Sequence, residues 1–456
     1  MNLKLFFKCG IIILTTLIFI YAFSASYNSE NIDRLDYVIA LGIDSVPDSD
    51  NLAVSFEFAN LSSFSENSSS KDSKPIINTI EAPSISRAIN IMNAYIGKQL
   101  NLSHCKVIVF SKSFAEKGIM KDISVLMHNT QIRPTTNIII SEGNANEYIE
   151  SSTSSLEQVL TKFYDVFPTS SEYTGYTSNV PLGKFYDSLS NDDIETVAIL
   201  GKKSKVSTKS NESSLQNSSN GGGSSSDEQS PNGEEGFSEG ESTGSADVGG
   251  GDSKDPSSNA KENNTKDTVI DESAILEGDR GTLNVGLGVF KNDRYIGTLT
   301  AEETLYYSLL KNEVDIFLLS IPDPFEEGKK IDLSMWSLSD SKFDTDVSND
   351  TPKITIKLNL TAKVLTQLNM TELSYDETMN KLNSSLKDYL SKQISDYLYK
   401  TSKGYNTDIN EFYRIAKRKF LTTQKFEDYK WQQKYENAEF NIEFNDNVVS
   451  SILIRN

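Results

Sequence analysis

The stretch KITIKLNLTAKV (353–364) sets Ile354, Ile356, Leu358, Leu360, Ala362 and Val364 at every second position, with Lys353, Lys357 and Lys363 among the residues between them. Successive side chains of a strand point to opposite faces, so this pattern specifies a strand with one buried face and one wet face. Such a strand needs a partner layer, and the next residues supply it. Ser374 and Glu377 have the spacing of a helix capping box. Behind them Met379, Leu382, Leu386, Leu390, Ile394 and Leu398 recur at threes and fours, with Gly404 as the expected stop. A second helix is expected with Ile409, Phe412, Tyr413, Ala416 and Phe420 inward, and AEFNIEFNDNVVSSILI (438–454) as a closing strand pair. An antiparallel sheet with helices on one face satisfies these stripes, so 331–456 is expected as one domain.

Upstream, TLNVGLGVFKNDRYIGTLT (282–300) reads as a hairpin, and Thr300 with Glu303 makes a second capping box for a helix burying Leu305, Tyr306, Leu309 and Leu310. Residues 269–330 are expected as a small middle domain. Between 205 and 268 Ser, Gly, Asn, Asp and Glu dominate and Phe237 is the only aromatic residue. Apolar burial there is too small to offset ordering entropy, so a disordered linker or insert is expected. In 27–204, LDYVIALGID (35–44), LAVSFEF (52–58), CKVIVF (105–110) and NIIIS (137–141) read as strands. A helix behind Ser84 carries Ile85, Ala88, Ile89, Met92 and Ile96, and another is expected over 113–128. The fold class is α+β or mixed α/β: three domains with mostly antiparallel or mixed sheets and packed helices, after an N-terminal membrane helix.

That helix is read from residues 1–26. Lys4 and Lys8 flank an uncharged run from Cys9 to Ala25, at the lower edge of the roughly 17 to 25 residues of a membrane span. Ile11, Ile12, Ile13, Leu14, Leu17, Ile18, Phe19 and Ile20 are the expected anchor residues, and the positive flank places the rest of the chain outside the cytoplasm. Cleavage is the competing reading, since Ala22 and Ser24 have the small side chains of a signal-peptide cleavage site. Cys9 lies before the apolar run, so it is not expected to be lipidated. Cys105 is the only other cysteine, leaving no disulfide for an exported portion.

A formal charge of −20 with no polybasic stretch argues against nucleic acid as a partner. The two histidines, His104 and His128, have no histidine near them to suggest a metal site. In SHC (103–105) adjacent strand residues would face opposite ways, which prevents a Cys-His nucleophile and base from meeting. DSVPDSDN (44–51) carries Asp44, Asp48 and Asp50 but lacks the central Gly and closing Glu of a calcium loop, so a solvated turn is expected. Gly286 and Gly288 stand inside a strand pattern and suggest close packing or a bulge, not a phosphate cradle. Trp336 and Trp431 are expected in the core, with a ligand groove as the alternative. No catalytic, cofactor-binding or metal-ligating residue is expected, and no cofactor. Binding or assembly is the expected role.

Four ordered stretches give the chain a family resemblance: DRLDYVIALGID (33–44), residues 101–143, GLGVFKNDRYIGTLTAEET (286–304) and residues 404–444. Together they resemble the Ger(x)C family, the C subunits of nutrient-germinant receptors in spore-forming Bacillus and Clostridium relatives. The resemblance implies a three-domain, non-enzymatic subunit on the outer, extracytoplasmic face of the spore inner membrane. It implies integral-membrane A- and B-type receptor subunits as partners, and a role in nutrient-triggered germination. Members are usually lipoproteins with a small-residue-Gly-Cys box after the leader, where this chain has AFSAS (22–26). They often carry an Asp-x-x-Gly-x-Gly-like segment after the long helix, where this chain has DINEFY (408–413). The alternative function is a generic surface-anchored binding or scaffold protein, with an extracytoplasmic hydrolase third.

Overall fold

The computed structural model describes residues 3–24, 34–59, 76–152, 160–191, 194–204, 281–369 and 374–455. The 205–268 tract therefore lies outside the described residues, as does the side chain of Cys9. The first helix, α1 (Leu3–Ser24), leaves Ile11, Ile12, Ile13, Leu14, Leu17, Ile18, Phe19, Ile20 and Tyr21 more than half exposed. Among the described residues no helix is long and apolar enough to cross a membrane. The membrane-spanning helix expected over 1–26 is therefore not supported among the described residues, which give a helix with an exposed apolar surface.

Strands β1 (Leu35–Ser45), β2 (Leu52–Phe58) and β3 (Ile76–Ala82) form an antiparallel meander. Helix α2 (Ile85–Ile96) starts where expected: the Ser84 side chain accepts from Arg87 N–H, and Gly97 closes the helix in the left-handed region. After β4 (Gln99–Asn101) comes β5 (Val107–Ser111), which lies parallel to β1. The helix expected over 113–128 is two helices, α3 (Lys112–Ala115) and α4 (Met120–Met127). Gly118 breaks it at φ 104, a conformation open to glycine and strained for other residues. β6 (Asn137–Ser141) follows, then α5 (Ala145–Ser151), α6 (Leu160–Val166), α7 (Ser171–Thr174), α8 (Leu182–Leu189) and β7 (Thr196–Lys203). β1, β5, β6 and β7 are parallel neighbours, and β5 and β6 are buried along their whole length, as strands covered on both faces must be.

β8 (Thr282–Lys291) and β9 (Arg294–Leu299) form the expected hairpin, turning at Asn292 with φ 53. β8 pairs with β7, which completes a sheet of order β3-β2-β1-β5-β6-β7-β8-β9 with β4 beside β1. α9 (Ala301–Lys311) begins at the Thr300–Glu303 capping box. The second sheet is built from β10 (Ile316–Pro322), β11 (Lys330–Asp346) and β12 (Lys353–Asn369). Residues 269–330 therefore have no sheet of their own. β8 and β9 finish the first sheet and β10 edges the second, because each hairpin found an existing edge to pair with.

The alternation that opens the chain's reading holds: Ile354, Ile356, Leu358, Leu360, Ala362 and Val364 of β12 are buried. α10 (Tyr375–Tyr399) covers that side, with the Ser374–Glu377 capping box and Leu382, Leu386, Leu390, Ile394 and Leu398 buried. Gly404 is not its stop. α10 runs on into a π-helical turn, Lys400–Tyr405, which ends at Asn406 with φ 50. The second helix is also shorter than its pattern, breaking into α11 (Tyr413–Lys417), α12 (Thr423–Tyr429) and α13 (Trp431–Tyr435). Finally β13 (Glu439–Phe444) and β14 (Val449–Arg455) do not pair with each other. Both lie parallel to β12, β13 against 353–358 and β14 against 362–369, so the sheet is mixed and not antiparallel. A strand as long as β12 offers one edge to two short partners in succession.

Candidate functional site

Where α10 ends, the C-terminal elements meet the first sheet in a joint built on two buried carboxyls. Asp408 is 1% exposed. Its Oδ1 accepts from Phe412 N–H at 2.9 Å, and its Oδ2 accepts from Tyr413 N–H at 2.7 Å and Trp431 Nε1–H at 3.0 Å. One aspartate thus caps α11 and fixes α13, satisfying helix-terminal N–H groups that would otherwise be buried without partners. The Asp408 N–H in turn donates to Glu195 Oε2, just before β7, at 2.6 Å. Burial pushes the Glu195 carboxyl up to about 8, and the hydrogen bond from Asp408 opposes that rise. Burial also raises Asp408, to about 6, against the pull of its three donors.

Ion pairs and one close contact complete the joint. Lys311 of α9 meets Glu411 at 2.9 Å with both side chains 16% exposed. Lys400 reaches both oxygens of Glu303, the α9 capping residue, at 2.8 and 2.6 Å. Tyr405 donates its hydroxyl to the Thr298 carbonyl at 2.9 Å, and its ring occupies the space where a Cβ on Gly297 would lie, 2.5 Å away. Glu411 holds φ 62, a left-handed conformation that favours glycine. The turn is made without a glycine, and Glu411 is ion-paired with Lys311 and Arg414.

A third buried carboxyl sits in the first sheet. Glu57 of β2 is fully buried, one oxygen accepts from the Tyr164 hydroxyl at 3.0 Å, and burial pushes it up to about 8. The same apolar surroundings push the Cys105 thiol up to about 12. A thiol held protonated is not a nucleophile.

The residues singled out from sequence are scattered. His104 is exposed and packs edge-on against Tyr37, while Cys105 points inward. They separate because SHC lies in a turn between β4 and β5, not on a strand as expected. His128 turns its Nδ1 toward the Ser124 carbonyl at 2.7 Å. Asp44 is no solvated turn residue: it is 8% exposed and accepts from Ala145 and Asn146 N–H at 2.7 and 3.0 Å, capping α5 from the end of β1. Asp48 and Asp50 are exposed. Gly286 has φ 92 where the β7–β8 register shifts, and a Cβ there would lie 2.6 Å from the Leu299 carbonyl oxygen, so close packing at a bulge is its role. Trp431 is core, bonded to Asp408, whereas Trp336 is partly buried on the outer face of the second sheet. Among the described residues no group of His, Cys, Asp and Glu is placed to hold a metal ion. The joint offers clamped carboxyls with their donors in place, which tie α11 and α13 to the start of β7.

Two family models match the chain in order: the spore germination protein N-terminal domain over residues 28–202, and the spore germination B3/GerAC-like C-terminal domain over 285–451. The chain belongs to the Ger(x)C family of spore germination proteins. The first match ends within β7 and the second begins within β8, so the acidic tract falls between them. Among solved structures the chain is similar to the crystal structure of the GerBC protein, with 11% identity, 91% of this chain and 97% of that chain covered, and a TM-score of 0.47. No curated protein matches.

Proposed function

We propose that the chain is a non-enzymatic, membrane-associated subunit of a spore nutrient-germinant receptor. It works at the outer face of the spore inner membrane beside integral-membrane A- and B-type subunits, and nutrient-triggered germination needs it. The observation that carries this reading is the pair of family matches, which together take in the strands of both sheets in family order. The exposed isoleucines and leucines of α1 behind Lys4 and Lys8 support a membrane contact, since an apolar helix surface is stable only when lipid or protein covers it. The clamped carboxyls of the joint support a positional role, because their oxygens are already taken by backbone and indole donors.

Deleting the gene in a background stripped of paralogous receptors tests the proposal. Spores should then lose their response to nutrients and keep their response to non-nutrient triggers. Unchanged nutrient germination sinks it. Co-purification from dormant-spore membranes should bring down two integral-membrane subunits.

A further inference from the structure

Between α11 and α12 the chain turns around an aromatic base. Phe420 packs onto Phe426 and Tyr429, with ring centroids 5.6 and 5.2 Å away. Thr422 then caps α12, its hydroxyl accepting from Lys425 N–H at 3.3 Å. Between these two fixed points Leu421 is 89% exposed, more than any other large apolar residue among those described, and residues 421–425 are all exposed. The surroundings are basic. Residues 413–435 carry seven lysines and arginines against Glu427 and Asp428, in a chain whose formal charge is −20. Lys417, Arg418, Lys419 and Lys425 lie within four positions of Leu421. Lys419 pairs with Asp344 at 2.6 Å, Lys434 with Asp350 at 3.1 Å and Arg414 with Glu411. Arg418, Lys425 and Lys430 have no ion-pair partner among the described residues.

We infer that this turn is a membrane contact separate from α1, in which Leu421 enters the surface of an anionic bilayer while the unpaired cations around it meet lipid headgroups. A leucine this exposed protrudes with nothing of the chain beside it, and a bilayer accepts a protruding side chain without a preformed socket. Burying it removes apolar surface from water, and each neighbouring lysine or arginine adds attraction to an anionic leaflet. The charge of the whole chain does not cancel this, because charges farther than a Debye length, about 8–10 Å, are screened from the contact. Charge and polarity together select this occupant. A second copy would bring the same basic turn against itself. The chain's own 205–268 tract is rich in Asp and Glu, but with Phe237 as its only aromatic residue it offers Leu421 little apolar cover. This inference does not depend on the receptor reading.

The test uses the full chain carrying Cys9→Ser and Leu421→Cys, with an environment-sensitive dye on residue 421, and vesicles of phosphatidylcholine alone or with phosphatidylglycerol added. Cys105 is buried, so the dye goes to 421. The dye reports the turn alone, so whatever α1 contributes to vesicle binding leaves the reading unchanged. Its emission should shift to the blue in the anionic vesicles, and a nitroxide carried on the lipid should quench it about threefold or more beyond the level in neutral vesicles. The difference should shrink as salt rises. Arg418→Gln with Lys425→Gln, both exposed positions, should bring quenching in anionic vesicles down about threefold or more. The same dye on Tyr95→Cys, a position 70% exposed on α2, should show no difference between the two lipids. Equal quenching at 421 in both lipids, equal quenching at 421 and 95, or a dye that stays in water beside anionic vesicles would each overturn the inference. So would a dye already shielded in buffer without vesicles, which is the result expected if the acidic tract covers the turn.

Discussion

The Asp408 N–H donates to Glu195 over 2.6 Å while the Asp408 carboxyl accepts from Phe412, Tyr413 and Trp431, so one residue ties the start of β7 to α11 and α13. Glu195 is raised to about 8 in the fold from an ordinary 4.5. The folded chain therefore keeps a proton that the unfolded chain has released above that lower value. Its contribution is present in full below about pH 4.5 and is lost progressively as pH climbs to about 8. Urea unfolding across pH 4.5 to 8.5 should show stability falling in this window, and Glu195→Gln, which retains an acceptor for Asp408 N–H and carries no titration, should flatten the fall. Glu195→Ala should cost ~1–3 kcal/mol more than Glu195→Gln at pH 5, because it leaves a buried N–H without a partner.

Glu57 gives a second contribution of the same sign, since it too is raised to about 8 by burial. Tyr164→Phe removes the one hydroxyl that its carboxyl accepts from. The loss should be ~1–3 kcal/mol at pH 8.5, and smaller at pH 5 where Glu57 is neutral in both variants. A thermal scan of wild type, Tyr164→Phe, Glu57→Gln and the double variant at both pH values gives the coupling directly. Equal losses at the two pH values would contradict a titrating Glu57.

The strands and caps are legible in the sequence because their signals are local. The β12 alternation and the Ser374–Glu377 and Thr300–Glu303 boxes each lie within a few residues, and the structure holds them as expected. The joint is not legible, because Glu195 and Asp408 are 213 residues apart and a buried carboxyl looks like any other in sequence. Asp44 misleads for the same reason, its partners lying 101 and 102 residues away on α5. Parallel docking of β13 and β14 on one strand is hidden because two adjacent strand patterns suggest a hairpin until a longer edge competes for them. The second helix fails at Glu411, whose left-handed turn carries no glycine to announce it.

That turn makes a prediction with opposing terms. Glu411→Gly relieves a left-handed conformation that costs a non-glycine residue ~1–2 kcal/mol, but removes the ion pairs with Lys311 and Arg414. The two should nearly cancel, with a net change within about 1 kcal/mol in urea unfolding. Glu411→Val keeps the strain, loses the pairs and adds a β-branched side chain, so it should be the more destabilising of the two by at least ~1 kcal/mol. Lys311→Met tests its own pair alone, and in the Glu411→Gly background it should have little further effect.

Gly297 and Tyr405 make the sharpest structural test of the joint. Any Cβ at 297 would lie 2.5 Å from the Tyr405 ring, and that ring is held by its hydroxyl on the Thr298 carbonyl next door. Gly297→Ala must therefore either push the ring off its acceptor or shift β9, at a cost of ~1–3 kcal/mol. Tyr405→Ala opens the space, at the expense of its own packing and hydrogen bond. If the contact is as close as the geometry shows, Gly297→Ala should be nearly neutral in the Tyr405→Ala background. The double-mutant cycle should then return a coupling of about 1 kcal/mol or more. Additive losses would mean that the β9 backbone, and not the Tyr405 ring, resists a side chain at 297.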